Sequence, residues 1–442
     1  MLRSCLTTVL FVLCLNLGCR SREATTENDT PAAGSDVAGV TQIVPAKRPD
    51  DSPEAVVAIE EAGFSVVKDS DGYVIEVSGG NENVETVLSH LGGVPNVQLL
   101  ALIGPAVSDA GIENLTKLTK LKRLDLTGSA ITDAALEPIG KLSKLEFLGL
   151  RRTGVTDEGL KALSGLDRLR AIDLRNTNIS DAGMQPITEL DSLVDLQLEK
   201  SKVTDEGLVQ LAPMKLKSLN FNYCTTVSNK TMAVLGKMPT LESLQGDYSK
   251  VNDAGLEELK SLTHLKRLRL RGCDVTGDGI AHIQGNTKLA RVELRDSSLD
   301  RRGLEILSQM PTITFFDMSE CRLAKPEDIA LVGKLTGLTY LGLWETATND
   351  ETVAAFSSLT ELKELNLKSA SVGDDSLPTL LKMKKLERLN VAGTQFTDDG
   401  FEQLGQLPNL KYLNVANTSI GFDVIDELVE AHEGLEVVDF EN

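Results

Sequence analysis

Aromatic side chains are scarce in this 442-residue chain: 11 Phe, 5 Tyr and a single Trp make up 4% of it. A core built on large rings is excluded, and aliphatic residues must fill the interior. Histidine is rarer still, and the four present (His90, His264, His282 and His432) fall at no metal-ligand spacing. The six cysteines contain no Cys-x-x-Cys pair, which removes the usual zinc and dithiol signatures. Positive charge is deficient: 45 Lys and Arg stand against 65 Asp and Glu, a net charge of −20. Nucleic acid and anionic membrane surfaces are therefore poor default partners, because binding phosphates needs a basic footprint. No nucleophile elbow, phosphate-binding glycine loop or His-Glu-x-x-His occurs, so no enzyme class and no cofactor is indicated.

What the chain has in abundance is repetition. From about Val97 a phrase recurs, of which Leu145-x-x-Leu148-x-Leu150-x-x-Thr153-x-Val155-Thr156-Asp157-Glu158-Gly159-Leu160-x-x-Leu163 is one copy. It opens at Val97, Leu121, Leu145, Leu169, Leu193, Leu216, Leu241, Leu265, Leu289, Ile313, Leu338, Leu362, Leu386 and Leu410, and a last strand starts at Leu435. That is about fourteen repeats of 24 residues plus a final strand, with one-residue slips near Pro213, Cys224, Pro326 and His432. Each copy changes period halfway. Leu148-x-Leu150 alternates as a half-buried strand does, and Leu160-x-x-Leu163 steps by three as a helix or 3₁₀ segment does. The Thr-Asp pair supplies an N-cap oxygen and a carboxylate at the positive helix end. The glycine that follows recurs as Gly159, Gly183, Gly207 and Gly255, a packing solution for closely stacked helices.

A unit this short cannot bury its own apolar face and must borrow its neighbour's. The pattern resembles the leucine-rich repeat family, in particular the ribonuclease-inhibitor-like and F-box-associated class that carries Thr-Asp-x-Gly-Leu. The resemblance covers roughly residues 96–442. It implies an α/β solenoid: a curved right-handed coil with a parallel β-sheet on the concave face and helices on the convex face. It also implies a short polar residue eight places after the first leucine, bonding loop backbone inside the coil. Ser129, Thr153, Thr177, Ser201, Cys224, Ser249, Cys273, Ser297, Cys321, Thr346, Thr394 and Thr418 occupy that place. Pro105 and Ala370 do not, and their loops are expected to be less well satisfied.

The N-terminus reads differently. Met1-Leu2-Arg3 is a short basic start, and residues 5–17 are apolar but too few to span a bilayer. Gly18-Cys19 then ends a stretch similar to a bacterial lipoprotein signal, although Asn16 stands where a leucine is usual. Lipidation of Cys19 is the expectation, with plain signal cleavage and an uncleaved anchor as alternatives. The resulting division is 1–18 signal peptide, 19–52 flexible tether beginning at Cys19, 53–95 a small α+β N-terminal cap, and 96–442 the repeat domain. Ser, Thr, Ala, Asp, Pro and Gly dominate the tether, whose coil reach is about 30 Å. An exported protein of the bacterial cell envelope follows, touching membrane only through its lipid.

In such a solenoid the third, fifth, seventh and eighth residues of each phrase point out of the concave sheet. The scarce aromatics collect there: Phe147, Tyr223, Tyr248, Phe315, Tyr340, Trp344 and Tyr412. Arginine does the same, with Arg267, Arg269 and Arg271 alternating on one strand, Arg291 and Arg295 on the next, and Arg123, Arg151, Arg152 and Arg175 nearer the N-terminus. Two readings stand open. Either these residues dock a partner, since Tyr, Trp and Arg dominate binding hot spots, or the rings stiffen the sheet and the arginines are neutralised by Asp247, Glu293, Asp296 and Asp317. On the first reading all thirteen of Phe147, Arg151, Arg175, Tyr223, Tyr248, Arg267, Arg269, Arg271, Arg291, Arg295, Phe315, Tyr340 and Trp344 contact the partner. A non-enzymatic scaffold that binds a protein, an acidic one if the guanidiniums are used, is the favoured function. Glycan recognition and enzyme inhibition by analogy with ribonuclease inhibitor are the alternatives. Treated as exposed surface, Arg267, Arg269 and Arg271 are expected to be replaceable by Ala with little change in stability.

Overall fold

The computed structural model describes residues 48–80, 82–432 and 434–440, within a single compact unit. The signal peptide, Cys19 and the tether up to residue 47 lie outside the described residues. Residues 48–52, assigned to the tether on composition, are instead held by the cap. Arg48 pairs with Asp69 at 2.6 Å and Asp71 at 2.5 Å, and Asp51 accepts the Val74 amide at 2.6 Å. The Ser52 amide donates to the Gly93 carbonyl at 2.7 Å, and its hydroxyl caps the helix Pro53–Glu61. Polar contacts rather than apolar burial do the holding, so composition carried no sign of it.

Among the described residues seventeen strands form one sheet. The hairpin Ser65–Lys68 and Val74–Gly79 is antiparallel. Val74–Gly79 then pairs in parallel with Leu99–Leu102, and every later strand pairs in parallel with the one before it, through to Glu436–Val438. The result is an open solenoid. Most strands are three residues long with the middle residue fully buried, as in Phe147–Gly149, where Leu148 points inward. A single apolar core runs from Val56 in the cap to Leu435, so no repeat has a core of its own.

The Thr-Asp-x-Gly phrase links repeats as much as it caps helices. Asp133 accepts both the amide (2.7 Å) and the hydroxyl (2.6 Å) of Thr156 in the next repeat. Asp181 does the same for Thr204 (2.7 Å each), and Asp374 for Thr397 (3.0 and 2.6 Å). In some repeats, as at Thr204 and Thr276, that hydroxyl also accepts an amide of its own helix. The glycine completes the device. A Cβ at Gly159, Gly183, Gly207 or Gly400 would intrude on the aspartate of the preceding repeat. Where Thr231 and Ser376 replace glycine, the hydroxyl donates to that same carboxylate, Asp205 and Asp350 respectively, at 2.5 Å. Burial works to raise the Asp205 carboxyl, but hydrogen bonds from Ser228 and Thr231 outweigh it and hold the group below the usual carboxylate range.

A second repeated feature sits at the eighth position. In all fourteen repeats that residue has positive φ, including Arg152 (55°), Asn176 (56°), Tyr223 (60°), Tyr248 (54°) and Gly272 (64°). In the first thirteen of them its amide donates to the seventh-position carbonyl of the next repeat, for example Arg152 to Arg175 at 2.9 Å and Tyr248 to Arg271 at 2.7 Å. The eighth residue is thus a left-handed turn, not a strand residue. The polar ladder behind it bonds carbonyls from inside: Thr153 to Leu150 at 2.7 Å, Cys273 to Gly246 at 3.3 Å, Cys321 to Leu294 at 3.1 Å. Burial pushes the Cys321 thiol up to about 11, and Cys224, Cys273 and Cys321 are all free and buried. Ala370 leaves no gap, because its own amide donates to the Leu367 carbonyl at 3.0 Å. The orphan is Ser129, whose buried hydroxyl has no partner.

The inter-repeat link is testable at Gly400, where Asp374 is the only group a Cβ would strike hard. Gly400→Ala and Asp374→Ala should each destabilise by about 1–3 kcal/mol. The double variant should lose clearly less than their sum, because removing the carboxylate removes the clash. Additive losses in denaturant unfolding would show that the two do not meet.

Candidate functional site

The parallel register places third-position residues directly beside one another, about 4.8 Å apart, and flat groups in that row stack. Arg123 lies 3.5 Å over the Phe147 ring, and Arg388 3.8 Å over Tyr412. Arg291, Phe315 and Tyr340 form a continuous column: 3.5 Å from guanidinium to ring, then 3.8 Å between rings inclined by 2°. Phe147, Phe315 and Tyr340 are half-buried, each leaning on its neighbour and each with an edge in solvent. At the seventh position Trp344 is half-buried between Arg295 (4.2 Å) and Lys368 (5.2 Å), with its indole nitrogen buried and without a partner.

Tyr223 and Tyr248 differ from what the spacing implied. Both occupy the left-handed turn beyond the strand, where they stack on each other at 5.0 Å. The Tyr248 ring continues over Gly272, where any Cβ would collide with it. They form a rim to the sheet and not part of its wall. The sequence signal was present: glycine fills the eighth position at residues 104, 128, 272 and 393, the usual mark of a positive φ.

The arginine trio is neither freely exposed nor sealed. Arg267, Arg269 and Arg271 keep 23%, 19% and 21% of their side-chain surface open. Beneath them lie two carboxylates: Asp247, with no exposed side-chain surface, and Glu293, with 5%. Asp247 takes Arg269 at 2.6 Å and Arg271 at 2.8 Å. Glu293 takes Arg267 at 2.8 Å and Arg291 at 2.6 Å. Burial works to raise the Glu293 carboxyl, but the bond from Arg291 and the charges of Arg267 and Arg269 win, and it sits below the ordinary range. Arg295 pairs with Glu320 at 2.6 Å, and Arg175 grips Asp173 with two bonds of 2.8 and 2.6 Å. Arg151 is half-buried, with its Nε buried and without a partner. Of the acids expected to neutralise the cluster, Asp247 and Glu293 bond it directly. Asp317 is buried and bonds Ser319 at 2.7 Å, while Asp296 is exposed in the left-handed turn.

One polar row was not anticipated. Fifth-position Asp and Asn side chains accept the seventh-position amide just past the strand end: Asp125 for Thr127, Asp173 for Arg175, Asn220 for Asn222, Asp317 for Ser319, Asn390 for Ala392 and Asn414 for Ala416. That amide has no ladder partner, so a short acceptor two residues back satisfies it. Recurrence of Asp and Asn at the fifth position was the available clue. At Arg271 the acceptor is Asp247 of the preceding repeat, at 3.0 Å, which fixes Asp247 deep in the wall.

These contacts overturn the expectation that the trio is dispensable for stability. Arg267→Ala/Arg269→Ala/Arg271→Ala strips Asp247 of both its guanidiniums and leaves Glu293 with Arg291 alone. Breaking a buried pair costs about 3–5 kcal/mol, so the triple variant should unfold at distinctly lower denaturant. Removing an exposed pair such as Lys385–Glu361 should cost under about 1 kcal/mol. The pH dependence has a definite sign. Because the folded-state Glu293 carboxyl is depressed, its contribution is present above the unfolded value near 4.3 and lost as pH falls through the folded value. Glu293→Gln should therefore be less stable than the parent at pH 7, and the gap should close in acid. A gap independent of pH would contradict the pairing.

Among the described residues no group of His, Cys, Asp and Glu is placed to hold a metal ion, and no helix is long and apolar enough to cross a membrane. A shallow cavity in the cap is lined by Asp50, Asp51, Val56, Val57, Lys68 and Tyr73.

The family described as leucine-rich repeat region matches residues 85–320. No curated protein sequence matches. Among solved structures, an internalin from Listeria monocytogenes is similar over 89% of this chain and 96% of its own, at 21% identity and a TM-score of 0.53. A leucine-rich repeat protein from Leptospira interrogans is 18% identical over 82% of this chain and all of its own, with a TM-score of 0.49. A family match over half the sequence, a 24-residue period and a parallel strand ladder agree: this chain belongs to the leucine-rich repeat family.

Proposed function

We propose that this protein is a non-enzymatic scaffold of the bacterial cell envelope, exported and held by a lipid on Cys19, that docks a partner protein on its concave sheet. One observation carries the docking surface. On the strand face of neighbouring repeats, third-position Arg291, Phe315 and Tyr340 and seventh-position Arg295 and Trp344 form two half-exposed rows of stacked rings and guanidiniums. Side chains of these types, held rigid by stacking, lose little entropy on contact and are the usual anchors of protein interfaces. Membership of a repeat family that presents one long regular surface supports the same reading. A glycan platform needs open ring faces. Phe315 has Arg291 on one face and Tyr340 on the other, and Trp344 is flanked by two cations, which favours a protein.

Anchoring and docking are tested separately. Mass spectrometry of the mature protein should find a chain beginning at Cys19 with acyl groups on it; an unmodified or different N-terminus contradicts the anchor. Affinity capture from envelope extract should recover a protein, and Tyr340→Ala/Trp344→Ala should reduce its recovery by about tenfold or more. An unchanged catch removes this patch, and a captured polysaccharide replaces protein docking with glycan recognition.

A further inference from the structure

The arginine cluster is overfilled with positive charge. Four guanidiniums, those of Arg267, Arg269, Arg271 and Arg291, bond two carboxylates, Asp247 and Glu293. Both carboxylates are buried; Asp247 is bonded through both oxygens, whereas the bonds to Glu293 reach Oε1 and its Oε2 meets Arg269 Nε at 3.7 Å. The guanidiniums are not used up. Arg267 spends Nε and Nη2 on Glu293, and Arg269 spends Nε and Nη2 on Asp247. Arg271 and Arg291 are bonded through Nε. None of their remaining Nη atoms is among the buried unpartnered atoms, so these donors face solvent.

We propose that this cluster binds an extended acidic segment of a partner protein, with Asp or Glu at alternate positions lying along the strand Arg267–Arg269. The proposal rests on the reading of the concave sheet as a protein-docking wall and names the chemistry of one part of it. Three features support it. The guanidiniums form two pairs, Arg269 with Arg271 over Asp247 and Arg267 with Arg291 over Glu293, and an extended peptide, whose alternate side chains stand about 6.5–7 Å apart, can offer one carboxylate to each pair. The guanidiniums are already oriented by the buried acids, which lowers the cost of ordering them and leaves planar forks that match carboxylates.

The third feature limits the ligand's size. Across the third, fifth and seventh positions of the fourteen repeats, ten basic side chains meet eight acidic ones, in a chain of net charge −20. The cluster is a small positive area: Asp195 and Glu199 lie three strands to one side of Arg267, and Glu364 lies three strands to the other side of Arg291. A long polyanion would have to cross those acids. A segment with two or three carboxylates would not.

The test uses the full chain and a nine-residue, end-blocked peptide with Glu at positions three, five and seven, titrated calorimetrically at about 0.15 M salt. Controls are the same peptide with Gln, and one with three adjacent Glu residues. The alternating Glu peptide should bind, the Gln version should bind at least about tenfold more weakly, and adjacent Glu should fall between them. Arg271→Gln and Arg291→Gln should each weaken binding about tenfold. Their unfolding midpoints should fall by less than the triple alanine variant's, because Asp247 keeps Arg269 and Glu293 keeps Arg267, and binding is compared where parent and variants are fully folded. Arg271→Lys should restore part of the affinity.

Equal binding of Glu and Gln peptides, no binding of either, or tighter binding of a sulfated polysaccharide or short RNA at matched charge overturns the proposal. Failure here with protein capture still dependent on Trp344 leaves the docking wall standing and removes only its acidic ligand. Peptide binding without any captured envelope protein removes the broader reading instead.

Discussion

Every long-range feature of this molecule depends on the backbone pairing that sets successive repeats about 4.8 Å apart on the strand side. No repeat buries its own leucines; Leu148 is sealed because Leu124 and Ile172 lie beside it. Once that spacing is imposed, any residue type repeated at one position becomes a row. A row of flat groups becomes a stack. A row of aspartates facing hydroxyls becomes a set of links, and a row of mixed charges becomes a lattice. The concave wall therefore has properties that belong to the stacking interval rather than to any one residue.

That dependence explains which parts were legible in the primary structure. The period, the strand and helix halves, and the outward direction of the third, fifth and seventh positions follow from the spacing of Leu145, Leu148, Leu150, Leu160 and Leu163. So does the inner placement of Thr153 or Cys273. Less legible was anything decided between repeats. The Thr156-Asp157 pair reads locally as a helix cap, yet Thr156 bonds Asp133, twenty-three residues earlier. Tyr223 and Tyr248 read as strand residues because the left-handed turn is made in other repeats by Gly, Asn, Arg, Lys, Asp, Glu or Ser, so no one residue type marks it. The burial of Asp247 was illegible for the same reason: its partners are Arg269 and Arg271 of the following repeat and Asn222 of the preceding one.

The two readings of the concave arginines turn out not to exclude one another. Direct pairing with Asp247 and Glu293 makes the cluster part of the fold, and it fixes the guanidiniums in place with donors left over. On the proposed docking reading, these pre-set forks and stacked rings are the groups that a matching partner would meet. The acidic excess of the chain lies off this wall, on the helical side and in the loops.

The central claim, that the partner sits on the strand face, is tested most directly by steric blocking. Cys224, Cys273 and Cys321 are buried, so in a mature chain carrying Cys19→Ser a single introduced surface cysteine can be labelled selectively. A bulky maleimide polymer on Ser243→Cys, at a half-buried third position of the wall, should abolish partner capture. The same polymer on Lys260→Cys, exposed on the helical side, should leave capture intact. Loss at Lys260 with retention at Ser243 would place the partner on the opposite face and contradict the account.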